Sequence, residues 1–219
     1  MIKEIKTVKP FLRWAGGKTW FTKQILNFLP PNFKNYYEPF VGGGSVFFFL
    51  KSQGLIKHKA YLSDSNAELI NSYKVIKNNS ESLFKLLKAH KNSEEEYYRM
   101  RSSDFSDPIK QAAKFIFLIK TSFNGIYRVN KNGQYNVPYG KRNLKVLYDY
   151  DHLKTVSLAL KNTYLSTQDF KQRCKQIKEN DLVFIDPPYT VAHENNGFIQ
   201  YNQSIFSWDN QLQYSQIAA

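Results

Sequence analysis

The first third of the chain alternates short apolar runs with stretches in which apolar residues recur every three or four positions. The runs at Tyr36–Glu38 and Ala60–Leu62 predict two strands. Helical spacing predicts helices over Thr19–Phe28, Ser45–Lys51 and Asn66–Ile76. Strands and helices that follow one another in this order are typical of a parallel α/β sheet.

The middle of the chain has a different pattern, because helical spacing dominates and strand signals become rare. Helices are predicted over Glu81–Lys88, Glu94–Arg101 and Ile109–Ser122. In Tyr127–Pro138, residues that favour strands flank Asn132-Gly133, a pair that tolerates positive φ and favours a hairpin turn. We therefore predict a helical insertion with a hairpin inside the α/β series.

The α/β pattern resumes in the last third. It predicts a helix over Tyr150–Lys161 and a strand at Thr163–Ser166. The uninterrupted apolar run Leu182–Ile185 predicts a buried central strand, and Asp186 follows directly at its carboxyl end. Ligands of open α/β sheets bind at this edge.

Length and composition are those of a folded domain that can bind a polyanion. The 219 residues are 42% hydrophobic, which suits one large domain or one domain with a sizeable insertion. The net charge of +13 favours a nucleic-acid partner, because each phosphate that the protein neutralises releases counterions. A solvated, lysine-rich surface from a compositionally biased genome explains the same charge.

Several site types and locations are not indicated. Cys174 is the only cysteine, so the sequence predicts neither an internal disulfide nor a thiolate metal cluster. The four histidines lack metal-ligand spacing, and no metal is expected. The polar start of the chain and the lack of a long apolar run predict a cytoplasmic protein without a membrane partner.

The tetrapeptide Asp186–Tyr189 (Asp-Pro-Pro-Tyr) is the strongest candidate for catalysis. Two prolines stiffen the turn and remove two N–H donors, so the turn presents mainly hydrogen-bond acceptors. Acceptors suit a substrate that offers N–H groups, such as the amino group of adenine, and Tyr189 can stack on the base. The alternative is an ordinary proline turn after a strand.

The segment Glu38–Ser45 places three glycines at a strand-to-helix turn, where a ligand can approach the backbone closely. It is not the dinucleotide motif, because Phe47 stands where a glycine is required. Asp64 follows about 20 residues later at the end of the next strand, a common place for an acid that accepts hydrogen bonds from ribose hydroxyls. The loop and the acid together favour a nucleoside cofactor.

The segment Arg13–Thr19 ends in Gly17-Lys18-Thr19 and imitates a nucleotide-binding P-loop. That motif requires a glycine at position 12, where this chain has Leu12, so the ATPase hypothesis fails on spacing. Lys18 on a glycine turn can instead hold a carboxylate. A helix start with a stray lysine explains the segment equally well.

The predicted hairpin and its flanks carry residues that can read DNA. Asn can read adenine and Arg can read guanine through paired hydrogen bonds. A solvated basic hairpin is the more common meaning of such a pattern. The segments concerned are 121–128 and 136–142, followed by Lys145.

Taken together, these segments resemble the Dam family, the D12 class or alpha group of adenine-N6 DNA methyltransferases. The stretches occur in that family's order and cover essentially the whole chain. They are 13–18, 38–47, 63–66, 124–130, 136–140 and 186–189.

The resemblance implies an S-adenosylmethionine-dependent methyltransferase of Rossmann-like fold with an inserted helical and hairpin DNA-recognition domain. The catalytic domain would comprise residues 1–77 and 147–219, and the insertion residues 78–146. The implied catalytic residues are Asp186, Pro187, Pro188 and Tyr189. The implied cofactor-binding residues are Trp14, Lys18, Glu38, Phe40, Gly42, Gly44, Asp64, Asp169, Phe170 and Asp186. The implied DNA-binding residues are Arg13, Asn124, Arg128, Asn130, Pro138, Lys141 and Arg142.

The resemblance also implies the reaction and the partners. A flipped adenine in double-stranded DNA, within GATC, would receive the methyl group from S-adenosylmethionine at N6 in one direct displacement. A cognate restriction endonuclease is an expected partner if the enzyme serves restriction–modification rather than methyl marking.

The end of the sequence departs from the family pattern. Phe198–Ser207 resembles the loop after the tetrapeptide and Asp209–Ala219 resembles the start of a helix, but the family's further strands are missing. We therefore expect a truncated chain with weak or no activity alone, or one that needs a second chain to supply these strands. The alternatives are a DNA-binding remnant without catalysis and methylation of another amino group.

Overall fold

Four parallel strands form the central sheet of the computed structural model, which describes residues 8–144 and 146–187. The strands are β1 (Tyr36–Glu38), β2 (Ala60–Asp64), β3 (Thr163–Thr167) and β4 (Leu182–Val183). Their order across the sheet is β3-β2-β1-β4. Tyr36 pairs with Ala60 on one side and with Leu182 on the other, so the carboxyl ends of β1, β2 and β4 meet at one edge. The predicted parallel α/β sheet is confirmed.

Six α-helices connect or flank these strands in the described residues. Side-chain oxygens at the helix starts accept backbone N–H groups, as at Asn66, Ser93 and Asp107, which satisfies part of the unpaired first turn. The helices are α1 (Ser45–Ser52), α2 (Ala67–Ala89), α3 (Glu94–Ser102), α4 (Pro108–Thr121), α5 (Tyr150–Ala159) and α6 (Phe170–Cys174). Short 3₁₀ turns cover Gln24–Phe28 and Phe123–Gly125.

Helix α2 joins two segments that the sequence predicts as separate helices. The polar residues between them contain neither Gly nor Pro, so the helix continues through them with a kink at Asn79 (φ −137°). Leu83 and Leu87 beyond the kink are fully buried in the same core as Leu69 and Ile70 before it. The expected domain boundary at 77–78 thus falls inside α2, and the division into two domains stays a prediction.

The predicted helix over Thr19–Phe28 is wrong. Turns occupy its first half, and the 3₁₀ segment Gln24–Phe28 buries only Ile25. Trp20 and Phe28 are 69% and 73% exposed. The segment offers one buried anchor, which is too little apolar contact to stabilise an α-helix this short.

The predicted buried central strand is corrected in length and position. Regular pairing covers Leu182–Val183 only, and both residues are half-buried. Within the described part of the chain, β4 pairs with β1 and is the outermost strand on its side. Pro188, Tyr189, Lys145 and the predicted loop and helix at 198–219 lie outside the described residues.

The predicted hairpin is confirmed. Asn130 N donates to Gln134 O (2.8 Å), and Asn136 N donates to Arg128 O (3.1 Å). Gly133 takes a positive φ of 75° at the turn. The hairpin therefore has two antiparallel arms, and it lies between α4 and α5 in the sequence.

Candidate active site

A cavity of about 610 Å³ opens at the sheet edge where β1, β2 and β4 end. This volume falls in the range of cavities that bind small organic ligands. We call it the central cavity; segments that are far apart in the sequence form its walls. The lining residues are Trp14–Lys18, Glu38, Phe40–Val46, Asp64–Glu68, Ile126, Tyr127, Phe184, Asp186 and Pro187.

The glycine loop after β1 is held against the end of β2. Gly42 N donates to Asp64 Oδ2 (3.1 Å), and Asn66 N donates to Asp64 Oδ1 (3.0 Å). The Tyr73 hydroxyl donates to the Gly42 carbonyl (3.0 Å). Gly44 has φ 69°, and a Cβ there would lie 2.6 Å from the Tyr73 hydroxyl oxygen. Glycine is therefore required at position 44 by conformation and by space.

Two acids of this cavity are held with raised pKa values. Glu38 at the end of β1 accepts a hydrogen bond from the Tyr36 hydroxyl (2.8 Å). Burial raises the pKa of Glu38 to about 8, against the lowering effect of that hydrogen bond. Burial also raises the pKa of Asp64, although the N–H groups of Asn66 and Gly42 oppose the shift. Glu38 is consequently a neutral carboxyl at pH 7, able to donate as well as accept.

Lys18 links the glycine turn of the N-terminal segment to Asp186, which follows β4, through an ion pair. Its Nζ lies 2.6 Å from Asp186 Oδ2, and both side chains are largely buried. The same Nζ donates to the Gly16 carbonyl (3.0 Å). The ion pair places a positive charge beside the first residue of the Asp-Pro-Pro-Tyr turn.

Aromatic side chains form the apolar walls. Trp14 stacks on Tyr127 with ring centroids 5.8 Å apart, and Phe40 contacts Phe170 at 5.3 Å. The Tyr127 hydroxyl donates to Glu68 Oε2 (3.1 Å). Sequence reasoning missed Tyr127 and Glu68 as cavity residues. Glu68 belongs to no motif, and Tyr127 lies in a stretch that the sequence assigns to DNA recognition; their proximity depends on how α2 packs beside the start of the hairpin.

The structure brings most of the predicted cofactor and catalytic residues to this one cavity. Asp169 and Phe170 are not among the lining residues: Asp169 Oδ1 accepts from Lys171 N (2.8 Å) as the cap of α6, and Phe170 is buried behind Phe40. Those that line the cavity are Trp14, Lys18, Glu38, Phe40, Gly42, Gly44, Asp64, Asp186 and Pro187.

A second depression of about 440 Å³ adjoins the central cavity and shares the wall Trp14–Lys18 with it. We call it the outer pocket; its other lining residues are Arg13, Trp20 and Asn124. Two predicted DNA-binding residues, Arg13 and Asn124, thus meet beside the central cavity although they are far apart in the chain.

The remaining predicted DNA-binding residues lie on or near the hairpin and have protein partners. Arg128 Nε donates to Asn136 Oδ1 (2.8 Å), and Asn130 Oδ1 accepts from the backbone of Gln134 (2.9 Å). Arg142 donates to the Lys120 carbonyl at the end of α4 (2.6 Å). Lys141 lies 3.8 Å from Glu94, and Pro138 is exposed while its carbonyl accepts from Phe123 N (2.9 Å).

The family resemblance requires three parts around one cavity. They are a glycine loop, an acid at the end of the next strand and the Asp-Pro pair that follows β4. The family model of D12 class N6 adenine-specific DNA methyltransferases matches residues 14–219. The chain belongs to this family. The match covers the whole of the central cavity and the hairpin.

Individual relatives agree with the family assignment. The Type II methyltransferase M.MjaIII of Methanocaldococcus jannaschii is 40% identical over 225 residues, 94% of this chain and 77% of that protein. M1.LlaDCHI of Lactococcus lactis, also named a Type II methyltransferase, is 35% identical over 94% of this chain and 74% of its own length. The DNA adenine methylase of Escherichia coli is 29% identical over 98% of this chain and 77% of its own length.

The described residues show neither a membrane-spanning helix nor a metal site. None of the helices there is both long and apolar enough to cross a membrane. Among the same residues, no group of three or more His, Cys, Asp or Glu side chains is arranged to hold a metal ion.

Proposed function

We propose that the chain transfers a methyl group from S-adenosylmethionine to N6 of a flipped adenine in double-stranded DNA, within GATC. One observation carries the proposal: Asp186 and Pro187 line the same cavity as Asp64 and the glycine loop. A methyl donor held by the loop and an adenine held by the Asp-Pro turn would therefore meet.

The residues of the central cavity fit S-adenosylmethionine. Asp64, at the end of β2, can accept hydrogen bonds from ribose hydroxyls. Trp14 and Phe40 offer aromatic faces to the flat and apolar parts of the molecule, and the neutral Glu38 can accept from an ammonium group or donate to a carboxylate. When bound, S-adenosylmethionine would supply the sulfonium methyl group, and neutral S-adenosylhomocysteine would be the leaving group. Asp169 and Phe170 would support this site from behind Phe40.

Asp186 and Pro187 would orient the adenine. The lone pair of the adenine amino group is delocalised into the ring and is a weak nucleophile. The carboxylate of Asp186 and the carbonyl of Pro187 can accept the two N6–H hydrogen bonds, which favours a more tetrahedral nitrogen with a freer lone pair. The ammonium of Lys18 lies 2.6 Å from Oδ2 of that carboxylate and would keep it in place. After transfer, the proton that N6 loses leaves through that carboxylate. Pro188 and Tyr189 are the remaining residues of the tetrapeptide that we propose as catalytic, with Tyr189 stacking on the base.

The DNA would lie across the outer pocket and the hairpin. Arg13 and Asn124 meet at the rim of the central cavity, which is where a strand with an extruded base must pass. Arg128, on the exposed hairpin, can turn from Asn136 toward a guanine. Lys141 and Arg142 would add positive charge beside the hairpin, and Asn130 and Pro138 would be further contacts to the DNA. The GATC site rests on the resemblance of the hairpin segment to Dam-family proteins.

The biological setting that we propose is restriction–modification in the cytoplasm. M.MjaIII and M1.LlaDCHI carry the name Type II methyltransferase, and a restriction endonuclease that cuts the same site would be the partner of this chain. The relatives named DNA adenine methylase suggest methyl marking as the other setting.

The test is transfer of tritiated methyl groups to adenine-unmethylated duplex DNA. We expect incorporation into a GATC duplex, loss of incorporation when that adenine is replaced, and strongly reduced incorporation by Asp186→Asn. Calorimetry with S-adenosylmethionine is the companion measurement. Robust turnover would refute the expectation of a weakly active chain. DNA binding without cofactor binding or methyl transfer would overturn the proposal and favour a DNA-binding remnant.

A further inference from the structure

The outer pocket has a residue that no motif assigns, Trp20. Its ring contacts Phe21 at 5.6 Å between centroids and is 69% exposed. Trp20 lines the pocket together with Arg13, Asn124 and the wall Trp14–Lys18 that the pocket shares with the central cavity. An aromatic face of this size is therefore available to a ligand in that pocket.

The chemistry of the pocket suits a nucleotide. Among the residues that the structure describes, its lining contains two cations, Arg13 and Lys18, and no acidic side chain. Lys18 is paired with Asp186 on the central side, so Arg13 carries the positive charge of the outer side. Asn124 adds an amide that can donate and accept. The pocket therefore offers a cation for a phosphate, an amide for a base edge and an aromatic face for stacking. These three groups match the parts of one nucleotide.

Local backbone geometry holds the charged and amide groups next to each other. Asn124 has φ 54° in the 3₁₀ turn after α4, and Gly125 follows with φ 65°. A Cβ at Gly125 would lie 3.5 Å from both Cγ and Cδ of Arg13. The stem of Arg13 therefore lies against this glycine, which brings its guanidinium to the same side as Asn124.

We propose that the outer pocket holds the nucleotide next to the flipped adenine, with its base stacked on Trp20 and its phosphate at Arg13. Residues Trp14–Lys18 line both depressions, so the two adjoin, which suits neighbouring nucleotides of one strand. The inference rests on the proposed function and adds a positioning residue to it. Trp20 would anchor the strand while the adjacent adenine enters the central cavity.

The first experiment measures DNA affinity of the full chain by fluorescence anisotropy with a labelled GATC duplex at fixed salt. Trp20→Ala should weaken binding about five- to a hundredfold, the range for loss of one base–aromatic stack. Trp20→Phe should stay within about threefold of the wild type. Phe28→Ala is the matched control, because Phe28 is as exposed as Trp20 but does not line the pocket.

The second experiment identifies the stacked base. One base at a time of the target strand is replaced by an abasic site, and each duplex is measured with wild type and with Trp20→Ala. At the nucleotide beside the target adenine, the abasic site should weaken binding by the wild type but have little further effect on Trp20→Ala. Calorimetry should show unchanged S-adenosylmethionine affinity in Trp20→Ala, and thermal unfolding should show an unchanged midpoint.

The outcomes separate this inference from the proposed function. The role of Trp20 is overturned if Trp20→Ala and wild type bind DNA with equal affinity, or if the effects of Trp20→Ala and of the abasic site are independent at every position. In either case, methyl transfer by the wild type still supports the proposed methyltransferase function. The role of Trp20 is also overturned if Trp20→Ala has a lowered unfolding midpoint while Trp20→Phe binds every abasic duplex with normal affinity. A wild type that binds neither DNA nor S-adenosylmethionine overturns both proposals.

Discussion

The central cavity and the hairpin hold their polar side chains in different ways. In the cavity, hydrogen bonds and ion pairs join residues that are far apart in the chain, as in Gly42 with Asp64 and Lys18 with Asp186. In the hairpin, the partners are neighbours across one turn, as in Arg128 with Asn136. The cavity is therefore a product of the whole fold, whereas the polar side chains beside the hairpin turn, at Arg128, Asn130, Gln134 and Asn136, bond to one another.

This difference has energetic consequences. Polar contacts in the buried cavity act in a medium of low effective dielectric, so loss of one partner leaves a costly unpaired group. Exposed contacts on the hairpin exchange with water at little cost. Substitutions in the cavity should consequently affect stability or chemistry strongly, and substitutions in the hairpin should affect DNA selection and little else.

The largest effect is expected from Asp186→Ala. Removal of the carboxylate takes away one acceptor for the adenine amino group and the partner of Lys18. We expect the methyl-transfer rate to fall about 10²- to 10³-fold, the range for loss of one preorganised polar group in an active site. The measurement is single-turnover transfer of tritiated methyl. Asp151→Asn on the exposed face of α5 is the control, and an equal rate for Asp186→Ala would contradict the role of this acid.

The second effect concerns pH and Glu38. The pKa of Glu38 is raised from 4.5 to about 8, so between these values the folded chain keeps a proton that the unfolded chain releases. Stability should therefore fall as pH rises through this window, by up to about 1.4 kcal/mol per pH unit. Glu38→Gln should flatten the dependence. Urea unfolding from pH 5 to 9 measures it, with exposed Glu179→Gln as control; parallel curves for wild type and Glu38→Gln would refute the assignment.

The third effect compares two glycines of similar backbone conformation. Gly44 has φ 69° and no room for a Cβ, whereas Gly54 has φ 68° and nothing within 4 Å of that position. Gly44→Ala should lower the free energy of unfolding by about 2–4 kcal/mol, from backbone strain and overpacking together. Gly54→Ala should lower it by about 1 kcal/mol, from strain alone. Similar unfolding midpoints for the two variants would show that contact with Tyr73 does not restrict the loop.

The smallest effect is expected from Arg128→Ala in the hairpin. Its guanidinium is exposed and bonded to Asn136, so the unfolding midpoint should hardly change. We expect a loss of about tenfold in the preference for GATC over sites with one base changed, since one bidentate base contact supplies about 1–3 kcal/mol of discrimination. Competition methylation assays measure this preference. Lys131→Ala on the same hairpin should weaken binding to all sequences alike; a uniform loss in Arg128→Ala would assign it to phosphate contact instead.

Patterns in the sequence correctly predicted those parts of the fold that depend on interactions between residues close together in the chain. Strands β1 and β2, helix α1 and the hairpin turn at Gly133 lie where alternation and turn residues placed them. Helix α2 is longer than predicted because its apolar positions after the kink find a common core with α4, a partner that periodicity does not identify. The segment before Gln24 forms turns because few of its apolar residues meet the core.

The candidate site divides in the same manner. The glycine loop, Asp64 and Asp186 are visible in the sequence because each stands at the end of a predicted strand. Tyr127, Glu68 and the pairing of Lys18 with Asp186 are not visible there, since they depend on which segments fold over the sheet edge. Asp169 shows the converse, because its position matches the motif while its side chain caps α6.

The order of residues by itself determined the element types, the family and the acids and glycines suited to hold a ligand, since backbone conformation and turn chemistry act over a few positions. Tertiary structure decided which of them share a cavity. It also decided that Trp20 lines one pocket with Arg13 and Asn124, and that Lys18 is the cation paired with Asp186. The reason is that strand order and helix packing set distances between segments that are remote along the chain, and electrostatic and stacking interactions depend on those distances.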